Sequence, residues 1–392
     1  MIKDKKADIK TANDIEKKVE NSVGIIEKKF VTFDKEEQSL LLDCGEILFP
    51  YTLAYETYGK LNALKDNVIL ICHALTGDSH AAGFYKIDDR KPGWWDMMIG
   101  PGKAFDTEKY FVICVNVLGG CMGSEGPSSV NFKTGKRYCL TFPQITIKDI
   151  VKSQRMLLNY LGIEKVLCVT GGSMGGMQAL QWMIDYPEST QTAILFATTA
   201  RMSAENIAFH SIGRKAILSD PNWNNGDYYD SKPPDAGLAV ARMLAHITYL
   251  SGEILKQKFD RKLQDKKNYS FGFDTDFQVE SYLLHQGERF VQRFDANSYL
   301  YITKAMDYFD LSAEVSGKLI PAFKKVKTKT VVVSFTSDWL FPTPMSKAIV
   351  NALKSQNVDV TFCEIETNRG HDAFLLEKEK LTQLVKGFLS NV

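Results

Sequence analysis

The chain has 392 residues, 44% hydrophobic and 24% charged, with 48 basic against 47 acidic side chains and a net charge of +1. That balance is ordinary for a soluble globular protein and supplies no overall field for nucleic acid or an anionic membrane. No apolar run reaches membrane-spanning length, the opening MIKDKKADIKTANDIEKK lacks a signal-peptide core, and the seven cysteines show neither a CxxC pair nor zinc-ligand spacing. The expectation is a reduced, cytoplasmic protein with no metal and no nucleic-acid or membrane partner. In chain order, residues 1–25 are charged and read as a mobile tail. SLLLDCGEILFPYTLAYETYG reads as an antiparallel strand or two at a sheet edge. Six runs rich in Val, Ile and Phe then follow: NVILICHA, YFVICVNVL, KVLCVTGG, QTAILFATT, KTVVVSFTS and VDVTFCEIE. Runs apolar on both faces predict a mostly parallel sheet covered on two sides. Helical spacing lies between several of them, as in KDIVKSQRMLLNYLG and MSKAIVNALKSQN. The alternation breaks over residues 200–320, which predicts a helical lid inserted into a core of residues 26–199 and 321–392.

The junction VTGGSMGGMQALQWM carries the first chemical signal. KVLCVT reads as a strand, and apolar Met177, Leu180, Met183 and Ile184 read as a helix. Between them Gly171-Gly172-Ser173-Met174-Gly175 fits G-x-S-x-G in its strand–turn–helix context, a nucleophile elbow. The fold class this predicts is the α/β-hydrolase fold. A nucleophilic serine needs a base and an orienting carboxylate, which in this architecture follow in the order Ser, acid, His on loops after later strands. Asp338 follows KTVVVSFTS and His371 follows VDVTFCEIE, so Ser173, Asp338 and His371 are the candidate triad. Oxyanion donors are expected from the backbone amides of Leu75, in CHALTGD, and Met174. His73 is read as structural and His80 as a side chain that could line the pocket. His210, His246 and His285 are read as packed or exposed lid residues. Cys121, in GGCMGSEGP, has no base placed for it and reads as part of a glycine-rich wall; Trp94 and Trp95 read as core or pocket lining. These features support acyl transfer through a serine ester and leave the acceptor open: water in an esterase or peptidase, a bound hydroxyl in an acyltransferase.

HALTGDSHAAG, GWWDMMIGPGKAFDT, VNVLGGCMGSEGPSS, GGSMGGMQALQW, LAVARMLAHITYLS, DWLFP and RGHDAFLLE together resemble the homoserine O-acetyltransferase family, from about residue 45 to the C-terminus. The resemblance implies acetyl-CoA as co-substrate with no permanently bound cofactor, L-homoserine as acceptor, a ping-pong mechanism, a step in methionine biosynthesis and a homodimer. It also implies Ser173, Asp338 and His371 as the triad, Arg242 as clamp for the homoserine carboxylate, Tyr249 as a positioning group and Asp372 as partner of the ammonium. Arg242 and Tyr249 are seven apart, hence on one helical face. Asp372 begins the helical stretch AFLLEKEKLTQLVKGFL. Succinyl-CoA as donor, serine as acceptor, or a serine esterase on the same fold are the alternatives.

Overall fold

The computed structural model describes residues 21–392. The strands are β1 (Lys29–Phe33), β2 (Leu40–Leu41), β3 (Ile47–Leu48), β4 (Tyr51–Tyr58), β5 (Val68–Cys72), β6 (Ile99–Gly100), β7 (Phe105–Asp106), β8 (Phe111–Val115), β9 (Val166–Gly172), β10 (Thr190–Phe196), β11 (Lys329–Phe335) and β12 (Val360–Ile365). The α-helices are α1 (Ile147–Tyr160), α2 (Met174–Asp185), α3 (Ala204–Leu218), α4 (Asp235–Tyr249), α5 (Gly252–Lys258), α6 (Gln278–Val291), α7 (Ala296–Asp307), α8 (Leu319–Ala322), α9 (Thr343–Ser355) and α10 (Lys378–Leu389).

Eight strands form one sheet in the order β1-β4-β8-β5-β9-β10-β11-β12. β1 and β4 join antiparallel at one edge, and every pairing from β8 to β12 is parallel. All six apolar runs are strands of this sheet. Their residues divide by parity between two hydrophobic cores: Val68, Leu70 and Cys72 face one, Ile69 and Ile71 the other, and Ala193 and Leu195 oppose Ile194 and Phe196. Helices α1, α2 and α9 close the first core, and α10 with Trp95 and Phe105 closes the second. For the first five runs the apolar-on-both-faces pattern has its physical cause in burial on both sides. The sixth, β12, ends the sheet and is only partly covered, with Thr361 and Glu364 exposed and Ile365 buried, so the expectation of a buried strand is corrected there.

Two further stretches differ from the sequence expectation. Lys29–Phe33, unassigned from sequence, is an edge strand with only Val31 and Phe33 turned inward. The stretch from Asp372 is not one helix: a 3₁₀ turn over Gly370–Leu375 ends before α10 begins at Lys378. Residues 1–20 of the expected tail lie outside the described residues. Its last part touches the core, with Phe84 N donating to Gly24 O at 3.0 Å and Ile26 N donating to Phe84 O at 2.8 Å.

From Ala204 to Asp307 the chain is helical, α3 to α7, and carries no strand of the main sheet. Side-chain oxygens of Ser203, Ser251 and Asp295 accept from backbone amides at the starts of α3, α5 and α7. Residues of these helices, among them Ile217, Leu238, Phe290 and Tyr299, join the first core. Among the described residues no helix is long and apolar enough to cross a membrane.

A buried polar chain ties α1 and α2 to the end of β5. Trp182 Nε1 donates to Gln154 Oε1 at 2.7 Å, Gln154 Nε2 to Gln178 Oε1 at 2.7 Å, and Gln178 Nε2 to the His73 carbonyl at 3.0 Å. Breaking it strands buried donors and acceptors, each costing about 1–3 kcal/mol. Gln178→Leu is therefore expected to lower unfolding free energy by about 1–3 kcal/mol in denaturant titration. The catalytic rate should fall with it, because the stranded carbonyl belongs to the loop that carries Leu75.

Candidate active site

Ser173 sits between β9 and α2 with φ 58° and ψ −124°. A non-glycine residue held there carries strain of about 1–3 kcal/mol, and a serine forced into it is the mark of a nucleophile elbow. The surrounding glycines are required by close approach. A Cβ on Gly171 or Gly175 would fall on the carbonyl oxygen of Cys72, one on Gly172 on the Phe374 ring, and one on Gly176 on the Thr198 side chain. The elbow is fixed by Ser173 N donating to Phe196 O at 3.0 Å and by Thr198 Oγ1 donating to Ser173 O at 2.8 Å.

Asp338 lies three residues beyond β11 and His371 six beyond β12, both at the sheet edge where Ser173 emerges. His371 Nδ1 and Asp338 Oδ2 are 2.8 Å apart. Asp338 Oδ1 accepts from the amides of Leu340 at 3.0 Å and Phe341 at 2.9 Å, so both oxygens are assigned. All three residues of the candidate triad are buried. The imidazole is walled by Phe341, Phe374 and Tyr249, with ring centroids 5.2, 5.7 and 5.9 Å away. Burial pushes the His371 pKa down, but the charge and hydrogen bond of Asp338, with Asp372 adding, outweigh it and leave the pKa above the ordinary value of 6.5.

The base loop and the acid loop are both fastened to the joint between α4 and α5. Gly370 has φ 71°, and a Cβ there would come within 2.6 Å of Tyr249 O and Ser251 N. Ser251 Oγ donates to Asn368 O, and Trp339 Nε1 donates to Leu250 O at 3.0 Å.

Among the described residues the amides of Leu75 and Met174 have no intramolecular acceptor. Met174 opens α2, whose first N–H groups are free to face developing negative charge. The Leu75 loop is held at its start by His73. Nε2 accepts from Val117 N at 3.0 Å, so the proton is on Nδ1, 2.8 Å from Ala74 O. Burial lowers the His73 pKa, and the ring is a neutral strut.

Arg242 and Tyr249 share a face of α4, with the guanidinium 5.6 Å from the Tyr249 ring and 4.7 Å from that of Phe290. Arg242 Nη1 is 3.3 Å from Thr76 Oγ1. Asp372 follows the base directly; burial raises its pKa, opposed by His371 and Arg242. Among the described residues neither Arg242 nor Asp372 has a salt-bridge partner within 4.0 Å. Burial raises the Tyr249 pKa, opposed by Arg242 and reinforced by Asp372, so the phenol stays protonated.

Other candidates fall away from the chemistry. His80 Nδ1 lies 2.8 Å from Glu56 Oε2, so it braces the core instead of lining the pocket. His210 pairs with Asp307 at 2.7 Å, His246 Nδ1 lies 3.1 Å from the Tyr282 hydroxyl, and His285 is exposed. Burial pushes the Cys121 thiol up to about 12, which removes it as a nucleophile at neutral pH. Trp95 is fully buried against Trp94 at 5.4 Å. Two contributors went unseen in the sequence. Glu56 is a buried carboxylate that accepts from Tyr85 OH at 2.8 Å and Ser79 Oγ at 3.1 Å behind the Leu75 loop. Arg293, just past α6, donates to Thr76 O at 2.5 Å. The odd charge in YTLAYETY is a signal for the first; the second has none.

Residues 67–378 match the model of the alpha/beta hydrolase fold family. A homoserine O-acetyltransferase of Solidesulfovibrio magneticus is 56% identical over 370 residues, covering 94% of this chain and 93% of that one. The chain belongs to the homoserine O-acetyltransferase family of α/β hydrolases. The crystal structure of a Bacillus anthracis homoserine O-acetyltransferase superposes with a TM-score of 0.87 at 30% identity, over 93% of this chain and 98% of that one. Esterase E22 superposes with a TM-score of 0.85 at 32% identity, over 93% of this chain and all of that one. The family thus shares one scaffold with an esterase.

Two outcomes are expected. A base whose folded pKa is raised is protonated, and inactive, below a pH higher than usual. The acid limb of kcat/KM should therefore have its midpoint above pH 6.5, and Asp372→Asn should move it down. Asp338→Asn keeps the acceptor for Leu340 and Phe341 but offers an N–H to His371 Nδ1, forcing the wrong tautomer. A loss of about 10⁴-fold in kcat with an unchanged melting temperature is expected, by analogy with the serine-protease triad.

Proposed function

We propose that this chain transfers an acetyl group from acetyl-CoA to the side-chain hydroxyl of L-homoserine through an acyl-Ser173 intermediate, a step of methionine biosynthesis. The observation that carries the reading is the pair Arg242 and Asp372. A guanidinium and a carboxylate, each without a salt-bridge partner among the described residues, sit close enough to act on each other, the first against the Tyr249 ring that borders His371 and the second next to His371 in the chain. Together they make a receptor for a zwitterion, a feature simple ester hydrolysis does not require.

In the first half-reaction His371 Nε2 takes the Ser173 proton as Oγ attacks the thioester carbonyl. Asp338 holds the tautomer and stabilises the imidazolium, while the Leu75 and Met174 amides receive the oxyanion; one such donor is worth about 10²–10³-fold in rate. The C–S bond breaks, His371 protonates the thiolate, and coenzyme A leaves. Homoserine then enters with its carboxylate on Arg242 and its ammonium on Asp372, leaving its hydroxyl to the base. His371 deprotonates that hydroxyl, which attacks the acyl-serine; the collapse frees Ser173 and reprotonates its Oγ. Tyr249, protonated and against both Arg242 and His371, closes the side of the pocket. The chain is read as acting in the cytoplasm, as a homodimer, without a bound cofactor.

The similarity to esterase E22 motivates a second reading, a serine esterase, and one experiment separates them. Incubation with acetyl-CoA should add one acetyl group to the wild type and none to Ser173→Ala by intact mass. Homoserine should discharge the adduct much faster than water or serine; discharge by water at an equal rate would establish the esterase. Succinyl-CoA in place of acetyl-CoA reads the donor in the same assay. Arg242→Met should raise the KM for homoserine about 10- to 100-fold, the worth of a charge-assisted pair, while formation of the adduct persists.

A further inference from the structure

Residues 126–148 contain no acidic side chain and four basic ones, Lys133, Lys136, Arg137 and Lys148, in a chain whose net charge is only +1. The first three sit on one hairpin. Val130 bridges Arg137, Asn131 N donates to Lys136 O at 2.8 Å, and Tyr138 N donates to Ser129 O at 2.9 Å. Lys133, Lys136 and Arg137 are exposed, and none has a carboxylate within salt-bridge reach among the described residues. Phe132 at the tip is 77% exposed.

The base of this hairpin forms one wall of a cavity of about 630 Å³, lined by Cys121, Ser128, Tyr228, Tyr229, Arg293 and Asp295 among others. Arg137 Nη1 donates to Ser128 O at 2.5 Å and its guanidinium lies 5.3 Å from the Tyr229 ring centroid. Arg293, which also lines the cavity, donates to the carbonyl of Thr76, the residue after Leu75, and stands 3.9 Å from Asp78. A single side chain thus separates the cavity from the oxyanion loop. The acidic groups nearby are Glu125, Asp227, Asp230 and Asp295; Glu125 accepts from Thr52 N at 3.0 Å and from Ser129. The Asp295 carboxylate is taken up by the hydroxyls of Tyr228 and Tyr229 at 2.6 and 3.2 Å and by Ser298 N at 2.7 Å. Asp227 lies 3.7 Å from Cys139 Sγ.

We infer that the 128–139 hairpin and this cavity form the site for the nucleotide end of the acyl donor, with Lys133, Lys136, Arg137 and Arg293 taking its phosphates. This rests on the acyl-CoA reading of the function and deepens it. Coenzyme A ends in a polyanionic 3′-phospho-ADP, joined to its thioester by a long flexible arm. Its binding calls for unpaired cations at the mouth of a cavity that adjoins the oxyanion hole. An esterase acting on small neutral esters has no use for such a patch.

The test compares acetyl-CoA with S-acetylpantetheine, which presents the same thioester without the nucleotide. In the wild type the ratio of their kcat/KM values should favour acetyl-CoA and fall as salt is raised, because exposed cations are screened. In the combined variant Lys133→Ala, Lys136→Ala, Arg137→Ala the ratio should drop about tenfold or more, carried by the KM for acetyl-CoA. The ratio is independent of the folded fraction, so a variant that folds poorly still reports. An unchanged ratio would overturn the nucleotide site and leave the proposed transferase standing. A wild type that takes acetyl from neither donor would overturn both readings, before any variant is made.

Discussion

The catalytic edge is organised around one close approach of main chain to main chain, the turn after β9 pressed onto the carbonyl of Cys72 at the end of β5. Any side chain at Gly171 or Gly175 would occupy the space of that oxygen. The approach places Ser173 and the first amide of α2 beside the loop that carries Leu75, so the proposed nucleophile and oxyanion donors are set by a single contact. Gln178, one turn into α2, then reaches back to the His73 carbonyl and locks the distance. Strain at Ser173 is tolerated because the parts around it have no slack: Phe196, Thr198 and Phe374 occupy the remaining sides.

Charge is distributed with similar economy. His73 is held neutral by its tautomer and burial, and His246 is pushed down to about 3 by burial and the nearby Arg242. Neither adds positive charge beside Arg242 near neutral pH. The carboxylates divide by partner. Asp338 is saturated by His371 and two amides, whereas the Asp372 carboxylate has no salt-bridge partner among the described residues. The acids of DWLFP and RGHD thereby differ in their surroundings, one bonded to His371 and one left for the ammonium of the proposed acceptor.

Much of this was legible in the residues. Strands buried on both faces give uninterrupted apolar runs, and a serine among glycines between a strand and a helix has few explanations. Spacing also aligned Arg242 with Tyr249 before any coordinates. What escaped had weak or misleading local signals. β1 is half-exposed and short, so its two inward residues do not make a convincing run. The split between Leu375 and Lys378 falls in a stretch with continuous helical periodicity, and the chain breaks there because the Gly370 turn must fit against α4. Arg293, and the pairing of His80 with Glu56, depend on contacts across long sequence separations, which no window of neighbouring residues reveals.

The joint between α4 and α5 is bonded to the loops on both sides of the triad: Leu250 to Trp339, Ser251 to Asn368, and Tyr249 against Gly370. A cap attached in this way is not a hinged door. Swinging it outward would pull the acid and the base apart at each turnover and require their 2.8 Å contact to be rebuilt. The same attachment makes the cap part of the alignment of Asp338 with His371, so that an exchange of cap helices between relatives would disturb the register of that pair.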